Sequence, residues 1–116
     1  MNDGHESAPY NVWREYPTSE FKDRRDGRPE FGGDIVWGIR ILGLGVALGR
    51  TQSGAWCVRS FVVVPHPETL GVTDDTTLEV AQAEALRFVA RRARIISEKY
   101  AANAWELNRI AEGIDR

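Results

Sequence analysis

At 116 residues and 42% hydrophobic content, the chain has apolar material for one modest core but not for two, so a single domain over 1–116 is expected. Its formal net charge of −2 provides no global attraction to nucleic acid or anionic membrane, and any such binding must come from a local patch. The one cysteine, Cys57, excludes an internal disulfide framework and a multi-cysteine metal site, which suits a reducing, cytoplasmic setting. Thirteen arginines stand against two lysines, a bias that codon usage in a GC-rich genome explains more simply than phosphate recognition does.

The first residues, "MNDGHESAPY", are polar and lack the apolar run of a signal peptide, so 1–9 read as a loose tail. Through residue 34 the chain is broken by Pro9, Pro17, Gly27, Pro29, Gly32 and Gly33, with Tyr10, Trp13, Tyr16, Phe21 and Phe31 set among charges. "YNVWREY" alternates weakly, as a short edge strand does, and "TSEFKD" can open a single helical turn capped by Thr18 or Ser19. Five aromatics are too many for a disordered tail and predict an arm anchored over the core.

From Ile35 to Leu48 the chain is apolar, but Arg40, the glycines and the short length fall below the roughly 20 apolar residues a membrane span needs. In "GLGVALGRTQSGAWCVRSF", Gly43, Gly45 and Gly49 resemble a phosphate-cradling string. A dinucleotide site requires a helix to open directly after its glycines, whereas a turn and a β-rich run follow here. A hairpin with Gln52, Ser53 and Gly54 as its three-residue loop fits better. It pairs Leu48 with Val58, Val46 with Ser60, Leu44 with Val62 and Leu42 with Val64 on one face. On the other face it pairs Gly49 with Cys57, Ala47 with Arg59, Gly45 with Phe61 and Gly43 with Val63. Upstream, Ile35, Trp37, Ile39 and Ile41 fall on odd positions while Leu42, Leu44, Val46 and Leu48 fall on even ones. That switch of parity requires a bend near Leu42 and Gly43 or a division into two strands.

"PHPETLGVTDD" reads as a loop, because Pro65 ends the strand and Pro67 blocks an immediate helix. Thr76 and Glu79 then stand at capping-box spacing, Asp74 and Asp75 complement the helix dipole, and Gly113 suits a C-terminal cap. The helix predicted over about 75–112 is about 55 Å long, more than a small sheet can cover. The expected fold is therefore α+β. A small antiparallel sheet, with a hairpin of about 35–49 and 55–64 and possible room for an added N-terminal strand, packs against this helix.

A three-four spacing of Leu86, Val89, Ala93, Ile96, Tyr100, Asn103, Leu107, Ile110 and Ile114 forms a coiled-coil-like seam. Its first half is expected to pack on the hairpin. Its second half is expected to meet a partner helix, or to fold back at a break near Ala101 to Asn103. Phe88, Ile95 and Trp105 lie off the seam. Trp105 is either covered by the aromatic arm or is an interface anchor. Arg87, Arg91 and Arg94, with Arg92 beside them, share a face that could grip phosphates. A solvated face with Glu84 and Glu98 as salt-bridge partners is the simpler reading.

Little suggests chemistry. His66 with Glu68, Asp74 and Asp75 has neither EF-hand nor zinc spacing, and Cys57 reads as a small buried thiol. No carboxylate pair sits in a pattern suited to general acid work, so no catalytic residue, metal or cofactor is expected. The leading expectation is a non-enzymatic interaction module, a small bacterial or phage regulator, inhibitor or assembly factor. It would self-associate, a dimer being favoured, or dock a protein partner through Tyr100, Trp105, Leu107, Ile110 and Ile114. The alternative is a nucleic-acid-binding accessory protein acting through Arg87, Arg91, Arg92 and Arg94. A membrane partner is not expected.

Overall fold

A computed structural model describes residues 12–22, 26–41 and 43–115, and side chains as far as Gly113. The expected loose tail over 1–9, and the start of the aromatic arm at Tyr10, lie outside the described residues. The fold is α+β: five strands form one antiparallel sheet in the order β1-β2-β3-β4-β5, and one long C-terminal helix packs on it. The strands are β1 (Arg14–Pro17), β2 (Gly32–Ile41), β3 (Leu44–Arg50), β4 (Trp56–Ser60) and β5 (Val64–Thr69), and the helix is α1 (Leu78–Asp115).

The hairpin of β3 and β4 has the expected register, with Leu48 opposite Val58, Val46 opposite Ser60, Ala47 opposite Arg59 and Gly49 opposite Cys57. Its loop is the anticipated one: the Thr51 N–H donates to Ala55 O at 2.8 Å, and Gly54 adopts φ 97°, a left-handed conformation open to glycine at little cost. The parity switch resolves into two separate strands. β2 and β3 pair as a hairpin whose last pair is Ile41 opposite Leu44, so odd residues of β2 face the same side as even residues of β3, Ile39 opposite Val46 and Trp37 opposite Leu48. The added N-terminal strand is present as β1, which pairs with β2 from Arg14 opposite Gly38 to Pro17 opposite Ile35.

Several local expectations are corrected. β4 stops at Ser60, so Leu44 does not meet Val62, nor Gly45 Phe61, nor Gly43 Val63. Instead 61–63 turn, and Val64–Thr69 returns beside β4 as a fifth strand. Pro65 and Pro67 are tolerated because β5 is an edge strand, with only one side that must pair. The Arg59 guanidinium donates from Nε to Pro65 O at 3.2 Å across the irregularity between Val58 and Ser60. The single helical turn is a 3-10 turn over Thr18–Glu20, preceded by Pro17 and without a side-chain cap, because the Thr18 hydroxyl donates to Gly33 O at 3.0 Å instead.

The start of α1 is also one residue later than expected. Thr77 caps it, its carbonyl accepting from Ala81 N–H at 2.9 Å and its hydroxyl from Val80 N–H at 3.4 Å. Thr76 stays outside the helix, its carbonyl accepting the Trp56 indole N–H at 3.1 Å and its hydroxyl 3.2 Å from that of Thr73. At the other end α1 runs through Gly113 to Asp115 rather than capping there; a glycine inside a helix costs only about 1 kcal/mol relative to alanine.

Each face of the sheet is covered by a different element. Ile39, Val46, Leu48, Trp56, Val58 and Val64 pack under Ala81, Ala85 and Val89 of α1, whose four-residue spacing lines one side of the helix. Two of those three helix residues are alanines, which lets the backbone of α1 lie close to the strands. On the opposite face Phe31, Val36, Ala47 and Cys57 cluster with Phe21, so the aromatic arm covers the side that the helix leaves bare. Tyr16, Phe21 and Phe31 stack edge to face, at centroid distances of 6.3 and 5.6 Å. Among the described residues, no helix is long and apolar enough to cross a membrane.

Candidate interaction surface

The junction between the β3–β4 loop and the segment leading into α1 fixes where the helix begins. Arg50 lies 3.6 Å over the Trp56 ring and donates to Gly54 O at 2.9 Å and Asp74 O at 2.8 Å, while Trp56 reaches Thr76. A second clamp lies further along the helix. Arg92 donates two hydrogen bonds of 2.8 Å to the Glu68 carboxylate on β5, a fork-to-fork pair that ties the edge strand to α1. Burial along α1 ends about one turn beyond this clamp.

At 38 residues α1 is about 57 Å long, and the molecule's longest dimension is 60 Å. The helix side chains buried in the sheet core end at Val89, and half-burial continues only to Ile96. From Ser97 to Gly113 every residue is exposed except the half-buried Glu106. Tyr100 is 63% exposed, Trp105 66%, Leu107 67% and Ile110 48%. The side chain of Ile114, expected in the same set, lies outside the described residues. The helix is continuous across Ala101 to Asn103 and does not fold back. Trp105 is not covered by the arm, whose Phe21 and Phe31 pack on the far side of the sheet.

The arginine stripe is not a free row of cations. Arg87 pairs with Glu84 and Arg92 with Glu68, whereas Arg91 and Arg94 make no ion pair among the described residues. The expected partner Glu98 takes no part in these pairs. Phe88, Arg91, Arg92 and Ile95 line a shallow groove, with the Arg92 guanidinium 5.3 Å from the Phe88 ring. Arg92 therefore has a structural role that its position in the stripe did not suggest. The carboxylate of Glu68 is the feature that reveals it, and that residue becomes a neighbour only once β5 exists.

His66 is exposed on β5, Glu68 is engaged by Arg92, and Asp75 accepts from the Thr73 hydroxyl at 2.6 Å, so these residues do not converge on a common point. Among the described residues, no group of three His, Cys, Asp or Glu side chains could hold a metal ion. Cys57 is fully buried, and burial pushes its thiol up to about 11. Sequence reasoning missed one exposed apolar feature, the turn carrying Phe61, 71% exposed, and Val62, 65% exposed. The signal was the apolar run ending in Pro65, read as one strand where it is two. No protein-family model, no curated protein and no solved structure matches this chain, so its function must be argued from these surfaces.

Proposed function

We propose that this chain is a non-enzymatic protein-interaction module in which the sheet anchors the first half of α1 and presents the second half to another protein surface. The observation that carries this reading is the mismatch of lengths. The apolar seam continues through Tyr100, Leu107 and Ile110 after the sheet has ended, and large apolar side chains at regular helical spacing gain stability only when covered. Trp105 adds a residue type enriched at binding hot spots. Such a module works as a regulator, inhibitor or assembly factor, through the contacts it makes rather than through bond chemistry.

A photo-crosslinking residue placed at exposed Asn108, with the chain expressed in its own host, tests the reading directly. Covalent adducts with protein, either this chain or another, are the expected result, and they should disappear in the variant L107D/I110D. Irradiation that yields no protein adduct would reject an association role for this segment.

A further inference from the structure

Resting on that reading, we propose that the occupant of the distal face is a second copy of this chain. The two distal helices pair antiparallel about a two-fold axis passing between Ala101 and Ala102.

The seam assigns the heptad positions. With Tyr100 and Leu107 at the first core position and Ile96, Asn103 and Ile110 at the second, the flanking positions read Ala90, Ser97, Ala104 and Ala111 on one side. On the other they read Arg92, Lys99, Glu106 and Gly113. The first flank is small throughout, so two helices can approach closely there. The second carries opposite charges one heptad apart.

Antiparallel pairing about this axis sets Ile96 against the partner's Leu107, Tyr100 against the partner's Asn103, and Ala93 against the partner's Ile110. It also brings Lys99 beside the partner's Glu106, and by symmetry this ion pair forms twice. The amide of Asn103 meets a phenol that can hydrogen-bond to it, which gives the polar interruption a partner.

Other arrangements lose these matches. Parallel helices would place Lys99 beside the partner's Ala104, Glu106 beside the partner's Ala111, and like residues against each other in the core. Sliding the antiparallel pair one heptad toward the C-terminus opposes Glu106 with the partner's Glu106. Sliding it the other way opposes Lys99 with the partner's Lys99 and brings the partner's Leu107, rather than only its last turn, to Val89, which is 3% exposed because the sheet already covers it. In the chosen register the core pairs from Ala93 to Ile110 overlap about 27 Å of helix, and only the partner's last turn, beyond Ile110, comes level with Val89. Glu106 already pairs with Arg109 along its own helix, and its carboxylate has lone pairs left for Lys99 of the second copy.

The test combines sedimentation equilibrium of the full chain with a distance measurement. The wild type is expected to dimerise. K99E and E106K should each weaken the dimer roughly tenfold, since two attractive contacts become repulsive, and the double variant K99E/E106K should recover affinity to within about twofold. Spin labels on E112C should lie more than about 30 Å apart, where a parallel pair would hold them near 20 Å, about two helix diameters. A chain that stays monomeric at all concentrations overturns the second-copy proposal; if Asn108 still crosslinks to a different protein, the broader reading survives. A dimer whose double variant is no tighter than the single variants, or whose labels sit close together, overturns the antiparallel register.

Discussion

Gly49 lies directly beneath the ring of Phe31, and a methyl group added there would stand 2.4 Å from Phe31 Cδ1, with the ring itself only 1% exposed and unable to withdraw. Gly49→Ala should therefore cost about 1–3 kcal/mol through overpacking. Gly45, which has open space where its Cβ would go, should accept alanine within about 0.5 kcal/mol. Thermal melts of the two variants give the comparison, and equal losses would contradict this account of the aromatic arm. The ion pair of Glu68 and Arg92 makes a prediction about pH. The side-chain hydrogen bond from Arg92 holds the Glu68 carboxyl below its ordinary value. A carboxylate depressed on folding contributes stability above its unfolded pKa and loses it as pH falls through the folded value. Denaturant unfolding of Glu68→Gln should accordingly lose less stability than the wild type as pH is lowered through and below the ordinary carboxylate range, with a modest difference because the pair is partly solvated. Cys57, with its thiol raised to about 11 and fully buried, should react slowly with an alkylating reagent at pH 8 in the folded protein and rapidly in urea. Rapid labelling of the native chain would show that this strand opens readily.

At the scale of elements, the important join is the one between the central hairpin and the start of α1. Trp56 is buried, stacks beneath Arg50 and donates its indole N–H to Thr76 O, so one side chain ties β4 to the residue preceding the helix cap. Trp56→Phe keeps most of the apolar area but leaves that carbonyl without its partner. A loss of about 1–3 kcal/mol is expected, measured by chemical denaturation. The register of β3 and β4 was legible in the chain because the three-residue loop of Gln52, Ser53 and Gly54 fixes the pairing, and two-residue alternation then keeps Val46, Leu48 and Val58 on the same side. The β4–β5 hairpin was not legible. Its strands are short, its turn carries Phe61 and Val62 without a glycine, and its prolines resemble loop punctuation until β4 provides the one edge against which they fit. The one-residue shift of the helix cap was equally illegible, since nothing local shows that Trp56 reaches across from β4 to Thr76 O.

For the whole molecule, the decisive quantity is how far the sheet extends along the helix. Substituting both Leu107 and Ile110 with aspartate should leave the melting temperature of the monomer fold almost unchanged and reduce the mass in solution to that of one chain, measured by light scattering. A shared loss of fold would mean that the distal helix contributes to the core. The sequence by itself determined the α+β class, the central hairpin pairing, the existence and approximate length of the helix, and its apolar seam with one polar interruption at Asn103. These follow from periodicity and turn chemistry that act within a few residues of each position. Only the tertiary structure decided that the sheet has five strands, that the aromatic arm covers the face opposite the helix, that Arg92 is held by Glu68, and that shelter ends near Ile96 so that Tyr100, Trp105, Leu107 and Ile110 stand exposed. Burial compares the lengths and positions of elements distant in the chain, and that comparison exists only once they are packed together.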